Sequence, residues 1–139
     1  MAAYGYNSVW VNGSLNRWGL AAPLFVLRSA NMTLTTDQPF IACGVFTKWI
    51  PTSIVAILKT GAFGTACAGG IYNAASKGGT AIVAAGQSWA NLTATNKIVV
   101  ATLAAGTTDA FIILPILSLT TGNTGALTAD LFVYGSILD

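Results

Sequence analysis

The sequence predicts an all-β protein, either a sandwich or a barrel, and three observations support this. From residue 31 onward, short apolar or alternating runs are separated by clusters of Gly, Asn, Thr and Asp, as in small all-β domains. The final run alternates with the period of two that strands require. Helix is disfavoured in the apolar stretch 45–58, because it contains Pro51 and the β-branched pair Ile54 and Val55.

We predict eight strands in a single domain, because 139 residues suffice for one core. The strands cover residues 32–35, 40–48, 53–59, 68–74, 80–85, 97–104, 111–120 and 127–138.

Residues 1–30 lack this regularity and are predicted to form an irregular N-terminal arm, so that the β domain spans residues 31–139. The arm is rich in aromatic side chains, namely Tyr4, Tyr6, Trp10, Trp18 and Phe25. Aromatic residues on an irregular segment usually pack against a protein surface. The sequence leaves open whether the arm covers its own sandwich or reaches a neighbouring subunit.

The glycine-rich segment 69–86 has two possible interpretations. A phosphate-binding loop places Lys after the glycines and continues into a helix. Here Lys77 precedes Gly78 and Gly79, and the following residues 80–85 have the composition of a strand. A β-hairpin with residues 76–79 as its turn therefore fits better.

The last strand predicts one core face and one contact face. Its core face carries Leu127, Ala129, Leu131, Val133 and Ile137. The opposite face carries Thr128, Asp130, Phe132, Tyr134 and Ser136, with Asp130 in an ordinary solvated position. Because aromatic residues are enriched at interfaces, Phe132 and Tyr134 indicate a subunit contact.

Between the fifth and sixth strands, the segment 87–96 predicts a short lid. Ser88 is placed to cap one helical turn that carries Trp89 and Leu92. We expect this lid to bury Trp89 against the edge of the sandwich.

The composition indicates a protein whose surface is covered by partners. Only 7% of the residues are charged, 54% are hydrophobic, and the mean hydropathy is +0.68. The six basic residues are scattered, so nucleic acid is not an expected partner. The longest uncharged stretch, 110–129, has too short an apolar part to span a membrane and contains Pro115. Without a visible secretory signal, we expect a cytosolic protein, or one in a particle assembled there.

The missing residue types argue against an enzyme. The chain has no His and no Glu, and its four acidic residues are Asp37, Asp109, Asp130 and Asp139. A Ser-His-Asp or Cys-His constellation cannot be built from this chain, nor can the usual zinc site. We therefore predict no catalytic, metal or cofactor site, and we expect Cys43 and Cys67 to be free, buried thiols.

At its turns and strands the chain resembles a known family. The similarity is carried by residues 69–80, 82–85, 92–93, 117–122 and 128–135, and it covers residues 31–139. These segments resemble jelly-roll decoration or cement proteins from the heads of tailed bacteriophages.

The resemblance implies an eight-stranded, jelly-roll-like β-sandwich that forms homotrimers. Such a protein is made in the host cytoplasm and lies on the virion surface. There it binds the lattice of the major capsid protein and stabilises that lattice. The arm lies outside the resemblance, and its attachment role is inferred from its aromatic residues alone. The predicted capsid and subunit interface consists of Tyr4, Tyr6, Trp10, Trp18, Phe25, Phe132 and Tyr134.

A second hypothesis is a fibre or tail-associated β-sandwich that binds host carbohydrate or a receptor. In that case Trp10, Trp18, Trp49 and Trp89 would form the sugar-stacking platform.

Overall fold

The computed structural model describes residues 22–61, 67–104 and 114–138, which form two antiparallel sheets without helix. This confirms the all-β prediction, with the sandwich rather than the barrel as its form. The described ranges contain nine strands: β1 (Phe25–Asn31), β2 (Gln38–Pro39), β3 (Ile41–Ala42), β4 (Trp49–Gly61), β5 (Ala68–Tyr72), β6 (Ala81–Val83), β7 (Ile98–Ala101), β8 (Ile116–Thr121) and β9 (Leu127–Ile137).

The larger sheet has five strands in the order β3-β1-β9-β4-β7, and the smaller has four in the order β2-β8-β5-β6. Four antiparallel strand pairs are nested in sequence, so that each pair lies between the two strands of the pair before it. They are β1 with β9, β2 with β8, β4 with β7, and β5 with β6. The chain therefore crosses repeatedly between the sheets.

The core lies between the inner faces of the two sheets. The five-stranded sheet contributes Ile54, Leu131 and Val133, and the other sheet contributes Ile71 and Leu117, all with no exposed area. Segments outside the strands complete this core with Met32, Phe40, Trp89 and Leu92.

The first predicted strand, 32–35, is wrong, because this segment forms a turn. The Asn31 side chain accepts hydrogen bonds from the backbone N–H and the hydroxyl of Thr33, which ends the strand locally. The strand instead lies at 25–31, so the boundary predicted at residue 30 falls inside β1. In addition, Gln38 exchanges two hydrogen bonds with the backbone of Asn31 and stabilises the turn.

The predicted strand 40–48 is also wrong, since only Ile41 and Ala42 are strand residues there. Residues 43–48 are irregular, and the next strand begins at Trp49, four residues before the predicted start. A proline normally disfavours a central strand, because it cannot donate a hydrogen bond to the ladder. In the structure the register of β4 shifts between Pro51 and Ser53, so the proline lies beside a bulge.

The later strands follow the sequence pattern more closely. In β9, Leu127, Ala129, Leu131 and Val133 are buried and alternate with half-buried residues, as predicted. The predicted hairpin is confirmed by β5 and β6, with positive φ at Ser76, Lys77 and Gly79 in its turn. The residues that the structure describes include no helix long and apolar enough to cross a bilayer.

Candidate interaction surface

The outer face of the five-stranded sheet carries a continuous row of apolar side chains. Ile41 of β3 is opposite Val26 of β1, and Val26 is opposite Phe132 of β9. Phe132 is in turn opposite Val55 of β4, which is opposite Val100 of β7. These five residues, hereafter the apolar row, occupy the same level on all five strands.

The apolar row is largely open at its ends. Ile41 is 73% exposed and Val100 is 62% exposed, whereas the three central residues are half-buried by their neighbours. Ile57 and Ile98 lie opposite each other on β4 and β7 and extend the surface, with 37% and 52% of their areas exposed. An antiparallel sheet that faces water normally presents polar side chains on that side. A contiguous apolar patch on such a face marks an interaction site.

An ion pair borders the apolar row on β1 and β9. Arg28 donates to Asp130 Oδ2 at 3.3 Å, and the Arg28 guanidinium lies 5.4 Å from the centre of the Phe132 ring. Asp130 Oδ1 also accepts the backbone N–H of Ser29 at 2.7 Å. The prediction of an ordinary solvated position for Asp130 is therefore wrong, because this carboxylate holds the irregular end of β1. A polar border around an apolar centre is the usual composition of a protein interface.

The structure brings together two of the residues predicted for the interface. Phe132 and Tyr134 lie on the outer face of β9, opposite Val55 and Ser53 of β4. Phe25 is instead a core residue, only 2% exposed, which packs against Phe46 and Trp49. It therefore presents almost no surface to a subunit or capsid partner. Tyr4, Tyr6, Trp10 and Trp18 lie outside the described residues.

Sequence reasoning missed the other members of this surface, although a signal was present. Residues 54–58 and 98–101 are uninterrupted apolar runs and lack the polar alternation of a half-exposed strand. Such runs are typical of strands that are covered on both faces. Among the described residues, the outward side chains of these runs, such as Ile57, Ile98 and Val100, are exposed.

The two sheets differ in how their outer faces are covered. On the four-stranded sheet, residues 35–37 and 76–77 meet beside Ser118, which is only 1% exposed. The backbone N–H of Ser76 donates to Asp37 Oδ2 at 2.7 Å and lowers the pKa of this carboxyl below its usual 3.8. Asp37 thus joins two loops. Among the described residues, the larger exposed apolar surface lies on the five-stranded sheet.

An apolar cavity of about 530 Å³ opens at one end of the sandwich. Its walls come from the start of β1, the 42–49 segment, the turn after β5 and the approach to β8. Phe25, Phe46 and Trp49 form the aromatic part of the wall, and none of the described lining residues is charged. This composition suits an uncharged, apolar occupant.

The described tryptophans do not form a sugar-stacking platform. Trp49 is 1% exposed and Trp89 is fully buried. The indole N–H of Trp89 donates to the Gly69 carbonyl at 3.1 Å, and Ser88 accepts the backbone N–H of Ala90. The predicted burial of Trp89 is therefore confirmed, but the segment forms a turn and not the expected turn of helix.

The cysteines are both free, as predicted, but only one is buried. Cys67 has no exposed area, and burial raises the pKa of its thiol to about 11. Cys43 is exposed, contrary to the prediction, because it lies in the irregular segment after β3. Within the described ranges, no group of three or more His, Cys, Asp or Glu side chains is placed to hold a metal ion.

Comparison of the chain with known protein families, with curated proteins and with solved structures finds no match.

Proposed function

We propose that this protein is a non-enzymatic structural protein of a virion, a decoration or cement protein that self-associates and binds a capsid lattice. The observation that carries the proposal is the apolar row on the outer face of the five-stranded sheet. The apolar row crosses the full width of that sheet and consists of Ile41, Val26, Phe132, Val55 and Val100. A surface of this kind is stabilised when another protein covers it.

The strand order supports a jelly roll as the finer description of the sandwich. When the two-residue β3 is left aside, the sheets contain β1-β9-β4-β7 and β2-β8-β5-β6, which is four strands each. The enclosing pairs, from β1 with β9 down to β5 with β6, are those of a long hairpin rolled into two sheets. Double-sheet jelly rolls of eight strands occur in viral capsid proteins.

The composition and the surface together support self-association. With only 7% charged residues, the chain has few polar side chains with which to cover an apolar sheet face. A homotrimer would bury this face between subunits or against the shell. Many identical copies on a symmetric lattice then gain affinity by avidity, even when each contact is modest. Because each copy would bind only the assembled lattice, binding would stabilise that lattice.

The alternative of a carbohydrate-binding fibre module has less support. The two described tryptophans are buried in the core and are not available for stacking on a sugar. Trp10 and Trp18 remain for such a role, without geometry to support it.

The first experiment measures the native mass of the full chain by light scattering during gel filtration without detergent. We expect a species of about three chains for the wild type. Val100→Glu places a charge in the apolar row at a residue that is already 62% exposed, so folding should tolerate it while association is lost. A wild type that remains monomeric at every concentration tested would refute self-association.

Val45→Glu is the matched control, because it makes the same change at a fully exposed valine outside the sheet. It should keep the wild-type mass. The shell partner is tested by co-sedimentation with purified capsids of the phage that encodes the chain. Binding by wild type and Val45→Glu but not by Val100→Glu is the expected result, and equal binding by all three would exclude the sheet face.

A further inference from the structure

We propose that the apolar cavity at the end of the sandwich is the docking site for Trp18 of the same chain. The occupant is thus the part of the N-terminal arm nearest to β1. This inference is independent of the outer sheet face and of what binds there.

The position of the cavity relative to the chain supports this assignment. Phe25, the first residue of β1, lines the cavity. The preceding residue is fixed at the same end, because the Leu24 N–H donates to the Val133 carbonyl and the Leu24 carbonyl accepts from Cys43. The arm therefore leaves the sandwich at the cavity itself.

The length of the arm places Trp18 within reach. Trp18 precedes Phe25 by seven residues. A fully extended chain of that length spans about 23 Å, at roughly 3.3 Å per residue. A tether this short gives a high effective concentration at the cavity. Docking in the same chain is thereby favoured over docking in a neighbour.

The chemistry of the cavity selects an aromatic side chain. The Phe25 ring centre lies 5.3 Å from that of Phe46 in an edge-to-face arrangement and 4.7 Å from that of Trp49. An indole would extend this cluster and bury its large apolar area. Between residues 14 and 21, Trp18 is the one aromatic residue, and the other side chains there are aliphatic, small, polar or charged.

The cavity lining also includes one amide side chain, and a buried indole N–H usually needs an acceptor of this kind. Asn73 belongs to the lining, and its Oδ1 accepts the Thr80 N–H at 2.6 Å. A carbonyl oxygen has a second lone pair available for another donor. The volume of about 530 Å³ lies within the range of roughly 300–1,000 Å³ that is typical of sites for small organic groups.

The test uses the full chain labelled with 5-fluorotryptophan, which gives one fluorine resonance for each of its four tryptophans. The Trp18 resonance is identified by its loss in Trp18→Phe. We expect its shift between H₂O and D₂O to be as small as those of the buried Trp49 and Trp89. A shift typical of an exposed indole would overturn the proposal.

Two cavity variants then locate the indole. Phe46→Leu changes an aromatic wall residue, and Ala75→Leu adds volume at an exposed wall position, where folding is little affected. Both should move the Trp18 resonance, whereas Val100→Thr on the outer sheet face should not. A Trp18 resonance unaffected by both wall variants would place it elsewhere.

A dilution series separates own-chain docking from exchange between chains. In the Val100→Glu variant, which is designed to be monomeric, the Trp18 resonance should keep its position and its small solvent shift at every concentration. Loss of these properties on dilution would contradict docking in the same chain. Since this readout does not depend on oligomerisation or capsid binding, the two proposals can fail separately.

Discussion

Asp130 connects the backbone of β1 to the open face of the five-stranded sheet. Its two oxygens accept from the Ser29 N–H and the Arg28 guanidinium. Ser29 has a φ of 53°, a left-handed conformation that is unfavourable for serine. The carboxylate therefore stabilises a backbone irregularity between Leu27 and Ala30, where the pairing of β1 with β9 changes register.

We predict that Asp130→Ala lowers the free energy of unfolding by about 1–2 kcal/mol, because a charge-assisted hydrogen bond to the backbone is lost at a partly exposed position. Urea denaturation in the Val100→Glu background measures this without a contribution from self-association. Asp130→Asn keeps a side-chain oxygen for the Ser29 N–H and should cost less. Equal stability of Asp130→Ala and its parent would show that the carboxylate does not hold β1.

Asp37 is predicted to make the stability of the fold depend on pH in the acid range. Its pKa is lowered in the folded chain, mainly by the hydrogen bond from the Ser76 N–H. The ionised carboxylate therefore stabilises the fold fully at pH values above the unfolded-state pKa of about 4. This stabilisation is lost as the pH falls through the folded-state pKa. Asp37→Asn should therefore lose stability relative to wild type at neutral pH, with the difference shrinking in acid. Urea midpoints across this range test the prediction, and parallel pH profiles would contradict it.

Residue roles were the least predictable part of this chain. Phe25 belongs to an aromatic segment in sequence, yet its ring is in the core because β1 begins earlier than the apolar pattern suggests. The roles of Asp130 and Asp37 depend on partners 101 and 39 residues away in sequence. Local patterns carry no information about such long-range contacts.

At the level of elements, β5 shows how small residues allow two strands to approach closely. A Cβ added at Gly69 would lie 2.3 Å from the Cα of Leu119 in β8. One added at Gly70 would lie 2.4 Å from the Val83 carbonyl oxygen in β6. The glycines of this strand are therefore required by the backbones on both of its sides.

Gly69→Ala should destabilise the fold by about 1–3 kcal/mol, because the β5 and β8 backbones must separate to admit the methyl group. Gly86→Ala is the matched control, since a Cβ at Gly86 has no neighbour within 4 Å, and we expect it to change stability by less than about 0.5 kcal/mol. Urea denaturation compares the two. Similar midpoints for both variants would mean that the strands can shift without cost.

The strands that sequence patterns located best are those with local signals. The period of two identified β9, and the glycine turn identified the β5–β6 hairpin. The strands β1 to β3 were missed or misplaced. The turn between β1 and β2 is defined by the side chains of Asn31 and Gln38. Such side-chain bonds replace ladder hydrogen bonds without altering the hydropathy pattern.

For the whole molecule, the notable property is the asymmetry between its two outer faces. Among the described residues, two loops approach each other beside Ser118 on the four-stranded sheet, whereas the five-stranded sheet presents the apolar row. The low charge of the chain predicted that partners cover its surface, but not which surface. Locating the open face required the register of five strands, which places residues from distant segments on one level.

If copies of the chain associate through the apolar row, thermal stability must depend on protein concentration. Assembly binds only the folded state and therefore raises the unfolding temperature as concentration increases. We expect this rise for wild type and Val45→Glu and its absence in Val100→Glu, measured by calorimetry over a dilution series. Because the row is apolar, added salt should leave the association intact, whereas charge-driven contacts weaken with ionic strength. An unfolding temperature that is independent of concentration in the wild type, or association that disappears in salt, would show that the apolar row does not join the subunits.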